Sequence, residues 1–130
     1  MAMWHVAVGG MVVGAYAFLV VLNLLGLGGM RFNFTKYVSM AAAFLLLLQY
    51  VIGFLLLGGG FRNSMLHYVV ALAAILTVGA EHGTRGGSKR AMPLVMTIIT
   101  LVLVLVAYYL GMKGAEGAVA PATGVATPAA

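Results

Sequence analysis

Hydrophobic positions in this chain do not alternate with polar ones. They run in long blocks separated by glycine and basic residues. The first block, Trp4 to Leu27, carries no charge and exceeds the ~20 residues a helix needs to cross a bilayer. Gly26-Leu27-Gly28-Gly29 closes it. A second block runs over about 38–57 and stops at Gly58-Gly59-Gly60, followed by an Arg62-Asn63-Ser64 turn. The third covers about 65–80, and the fourth, opened by Pro93 in a position suited to a first helical turn, covers about 92–112. Beyond them, residues 114–130 are rich in Gly, Ala, Pro and Thr without apolar periodicity, and an unstructured tail is expected. The pattern predicts an all-α, integral membrane four-helix transmembrane bundle over residues 1–113. The first block is read as a retained helix, because no basic segment precedes it and it continues past the small residues Ala15 and Ala17.

Composition agrees. Of 130 residues, 64% are hydrophobic and 7% charged, with a mean hydropathy of +1.13. A soluble domain runs nearer 45–50% apolar and about 25% charged. Cysteine is absent, which excludes disulfides, thiolate metal sites and Fe–S clusters. No nucleophile with a base, carboxylate pair or nucleotide loop is present, so an enzyme acting alone is not expected. The net charge of +5 is first a matter of topology and second of anionic lipid headgroups; no nucleic-acid partner is expected.

Arg31, Lys36, Arg85, Lys89 and Arg90 fall in the first and third loops, against Arg62, Lys113 and the terminal amine on the other side. The positive-inside rule then puts both termini outside the cytoplasm, and a bacterial inner membrane is the expected location. Trp4 and Tyr108-Tyr109 are expected at the outer interface, with Phe32, Phe34 and Tyr37 at the inner one. No acid lies inside any of the four blocks, which disfavours a small proton-coupled transporter.

The candidate chemistry is in the histidines. Four antiparallel spans bring His5, opening the first helix, to the same depth as His67, opening the third. His82 falls at the other boundary, about 22 Å away along the helix. Two imidazoles at one depth on different helices are what a b-type haem with two axial histidines requires. One turn further along sit the small residues Gly9 and Ala71, with Ala74 deeper, leaving room for a ring. Arg62 is placed to meet a propionate. The alternative is structural: interfacial histidines and no cofactor. Glu81 and His82 are expected to be an interface pair, or a contact for a quinone headgroup or partner subunit. Gln49-Tyr50 should join helices by hydrogen bonds.

The stretch LHYVVALAAILTVGAEHGTRGGSKR, followed by a plain apolar helix, resembles small four-helix bacterial membrane proteins of cytochrome-b-like type. His5 near the N-terminus and Gln49 in LLLQYVIG extend the likeness to roughly residues 4–112. The chain departs from the pattern in helix two, which has no histidine near Gln49, so a second metal site is not expected. The resemblance implies haem binding, or membership of an electron-transfer complex. The functional expectation is therefore a small subunit of a respiratory or photosynthetic electron-transfer complex, with a b-type haem between helices one and three. Its partners would be membrane lipids and other integral membrane subunits. The alternative is a cofactor-free structural or assembly subunit.

Overall fold

The computed structural model describes residues 2–30, 32–84 and 91–118. Over these the chain forms α1 (Ala2–Leu27), α2 (Thr35–Gly58), α3 (Met65–Thr84) and α4 (Met92–Ala118), each long and apolar enough to cross a membrane. The fold is an all-α four-helix bundle, and the protein is a membrane protein.

Glycine ends the first two helices by one mechanism. At Gly29 the backbone turns left-handed (φ 96°), with Gly29 N donating to the Gly26 carbonyl and Met30 N to the Leu25 carbonyl. Gly60 (φ 88°) repeats this, with bonds to the Leu57 and Leu56 carbonyls from Gly60 N and Phe61 N. Both are Schellman ends, in which glycine takes a conformation that costs other residues roughly 1–2 kcal/mol. The third helix starts on a cap: Ser64 Oγ accepts from the His67 backbone N–H at 3.3 Å. That bond fixes where His67 sits on the first turn.

α1 packs against both α2 and α4, and α3 packs against α4. The fourth seam, between α2 and α3, lacks comparable backbone packing. Side chains bridge it: the Tyr50 hydroxyl donates to the Ala71 carbonyl, and Ser39 Oγ donates to Glu81 at 3.2 Å. Val12, Tyr16, Leu19, Ala42, Ala74 and Val104 fill the core, while Phe44, Phe54 and Leu76 project outward. Apolar side chains both inside and outside suit lipid rather than water. Buried threonines satisfy themselves on their own helix. Thr97 donates to the Pro93 carbonyl and Thr100 to the Met96 carbonyl, while Asn23 Nδ2 donates across to Thr97.

All four helices outrun the sequence expectation: α1 starts at Ala2 and α2 at Thr35, so Lys36, expected in the first loop, lies in the first turn of α2. α3 continues past Ala80 to Thr84, because nothing between Glu81 and Thr84 forces the backbone out of the helix. Glu81 is thereby inside a helix and fully buried, which removes the ground on which a transporter was disfavoured. α4 continues past Met112 to Ala118, so residues 114–118, expected in the tail, are helical. The rest of the tail, Arg31 and the basic cluster Arg85 to Arg90 lie outside the described residues.

Candidate functional site

His5 and His67 meet, although α1 and α3 are not packed neighbours in the bundle. Their ring centroids are 6.4 Å apart, with the planes inclined at 67°. Both line a cavity of about 340 Å³ whose wall draws on all four helices and the Phe61–Asn63 turn. That volume lies at the lower end of small-molecule sites, about 300–1,000 Å³. Gly9, Ala71 and Arg62 also line it, so the five residues named from the sequence converge on one space.

The two imidazoles are held differently. His67 Nδ1 lies 2.9 Å from the Ala107 carbonyl of α4, so it carries the proton and Nε2 is left as a lone-pair donor. A metal-ligating histidine is oriented in this way, by a carbonyl on its other nitrogen. His5 is held through its backbone, whose carbonyl accepts from Gln49 Nε2 at 2.9 Å. Its own Nδ1 is buried without a partner, as is Gln49 Oε1. Buried polar atoms seldom stay unpaired, so both are open to a hydrogen-bonding partner.

Several of the residues that shape the site were not among those named from the sequence. Gly53 lies edge-on to His5, and a methyl group there would come within 3.3 Å of His5 Cε1. Gly111 does the same for His67, at 3.2 Å from Cε1. Each ring therefore rests on a glycine of a neighbouring helix. Tyr108, expected at the interface beside Tyr109, turns inward. Its ring and Gln49 Nε2 occupy the space a side chain on Gly9 would need, at 3.0 and 3.1 Å. Gly9 thus makes room first for Tyr108 and Gln49. Ala71 contributes its carbonyl to Tyr50 as well as its small side chain to the wall. The Gly53 signal was present in the sequence, four residues after Gln49 and one helical turn away. Nothing in the sequence marked Gly111.

Arg62 is exposed at the cavity's loop end, where a guanidinium can meet an anionic edge. Glu81 and His82 lie at the opposite end of α3, about 21 Å from His67 by helical rise. There Glu81 is buried against Ser39, whereas His82 is exposed, with Nδ1 2.9 Å from its own helix at the Val78 carbonyl. The carboxylate and the cavity do not form one site. Among the described residues, no three His, Cys, Asp or Glu side chains gather where they could hold a metal ion. No family model, curated protein or solved structure matches the chain.

Proposed function

We propose that this protein is a small integral membrane subunit of an electron-transfer complex and carries a b-type haem between His5 and His67. The observation that carries the reading is the pair of imidazoles, 6.4 Å apart in a cavity lined by all four helices, with His67 already oriented by the Ala107 carbonyl. A metal gripped from two sides, with bonds of about 2 Å and a ring radius of about 1 Å on each side, puts the centroids about 6 Å apart. Two imidazoles alone make a poor site for zinc or copper, which ask for further protein ligands. They suffice for an iron whose remaining ligands come from a porphyrin.

In this reading His67 and His5 would hold the haem iron, and Arg62 would meet a propionate. Gly53 and Gly111 let the imidazole edges seat against α2 and α4, and Ala71 leaves room within the wall. The haem would supply one-electron transfer; the chain supplies ligands, orientation and an apolar enclosure. The distribution of Lys and Arg favours both termini on the extracytoplasmic side of a bacterial inner membrane, which puts the site near the outer face.

An absorbance spectrum of the purified protein tests this. A dithionite-reduced α band in the b-type region that disappears in His67→Ala is expected. A colourless preparation that co-purifies with a larger membrane complex would instead favour a cofactor-free assembly subunit.

A further inference from the structure

The two halves of the bundle repeat one another. Shifting α1 by 62 positions lays Met3 on Met65 and His5 on His67, and the buried Val12, Tyr16 and Leu19 on the buried Ala74, Val78 and Glu81. Shifting α2 by 58 positions lays the buried Ser39, Ala42 and Leu46 on the buried Thr97, Thr100 and Val104. The same shift lays Tyr50 on Tyr108 and Gly53 on Gly111. Contacts repeat as well. His5 rests on Gly53 as His67 rests on Gly111, and Tyr50 reaches Ala71 across one seam as Tyr108 reaches Gly9 across the other. The protein is a pair of like hairpins arranged about the two imidazoles, a parallel repeat of the kind membrane proteins use to build central sites.

One seam breaks the repeat. The α1–α4 and α2–α3 seams are equivalent, yet only the first is closely packed. The cause is in the sequence: α1 offers Gly9 and Gly10, both facing Tyr108, whereas the matching residues of α3 are Ala71 and Leu72. Glycines let membrane helices approach, and Tyr108 lies against Gly9. Ala71 and Leu72 carry side chains where α1 has none, and Tyr50 joins α2 to α3 through its hydroxyl. The effect appears in the cavity wall. Phe54 of α2 and Leu72 of α3 both line the cavity and are nevertheless 67% and 58% exposed. On the closed seam, Gly9 is buried and Ala107 and Tyr108 are half-buried.

We infer that the cavity opens sideways into the bilayer through the α2–α3 seam, between Phe54 and Leu72. A flat apolar ligand reaches the imidazoles from the lipid by this route. The identity of that ligand rests on the haem reading above; the opening does not. Leu72 and Phe54 form the lips of the opening, and Arg62 meets the ligand's anionic edge at the loop end.

Two measurements test the opening. The chain has no cysteine, so Ala71→Cys carries a single nitroxide label inside the cavity. In vesicles, lipid-dissolved oxygen should relax the label more than a water-soluble nickel chelate does. Haemin delivered from loaded vesicles should bind Leu72→Trp about tenfold more slowly than wild type, equivalent to about 1.4 kcal/mol of added barrier, with the final spectrum unchanged. Val106→Trp, on α4 outside the cavity wall, should load at the wild-type rate. Loading of Leu72→Trp at the wild-type rate, or stronger relaxation by the nickel chelate, overturns the inference, and the cavity then opens to water at its loop end. If no variant takes up haemin, the cofactor reading fails and the label alone decides the seam.

Discussion

Gly111→Ala is the most informative single change at the site. A methyl group built there stands 3.2 Å from His67 Cε1 and 3.6 Å from Nδ1, so the imidazole must move by a few tenths of an ångström. His67 has little freedom to do so, because its Nδ1 is tied to Ala107 one turn earlier on the same helix. The ring is wedged between the two positions, and moving it lengthens that bond. For the ligand-free protein the effects nearly cancel. Weakening the hydrogen bond costs about 0.5–1.5 kcal/mol, while replacing glycine by alanine within a helix gains about 1 kcal/mol. Haem affinity has no such offset, and losing the outer partner of a metal-bound histidine typically costs 10–100-fold. Gly111→Ala should therefore unfold within about 1 kcal/mol of wild type in a denaturant titration followed by circular dichroism. In a haem titration followed at the Soret band, it should bind about 10–100-fold more weakly. Gly53→Ala provides the contrast. It meets His5 Cε1 at 3.3 Å, but the His5 ring has no hydrogen bond to lose and can swing aside, so its affinity should fall less. Equal affinities for wild type and Gly111→Ala would refute the idea that Ala107 positions His67 for a metal.

Other changes separate structure from site. Gly26→Ala adds a methyl where nothing lies within 4 Å, so it should stabilise the bundle by up to about 1 kcal/mol without touching the spectrum. Tyr50→Phe removes the hydroxyl bridging α2 and α3, and should lower stability by about 0.6–1.7 kcal/mol, the range found for such bonds in membranes. Glu81→Ala leaves buried Ser39 without its acceptor and should destabilise by about 1–3 kcal/mol. At about 21 Å from His67 it should leave the α band in place, and a shifted band would show the two ends of α3 to be coupled.

What could be read from the sequence was whatever interrupts the apolar blocks. The glycines that end α1 and α2 are punctuation that any reading finds, and helix direction alone brings His5 to the level of His67. What could not be read was which way an apolar helix faces. In a soluble bundle a polar stripe marks the outside, but here lipid-facing Phe44 and core-facing Leu46 belong to one chemical class. Nothing in the pattern therefore turned Tyr108 inward and Tyr109 outward, or set Gly111 beneath an imidazole. Glu81 failed for a related reason: an acid at a helix end suggests a boundary, whereas in the bundle it is buried and accepts from Ser39.

That buried carboxylate has a consequence for how the protein is made. α3 is the least apolar of the four spans, and it carries both His67 and Glu81. An acid at mid-helix adds up to about 3 kcal/mol to insertion, less toward the ends. α3 is also the helix with the most extensive packing against its successor, α4. During synthesis the α1–α2 hairpin can settle into lipid by its own apolarity, whereas α3 gains a secure place only when α4 emerges to shelter it. The half-site built on His67 thus depends for its place in the membrane on α4 more than the half-site on His5 depends on α2.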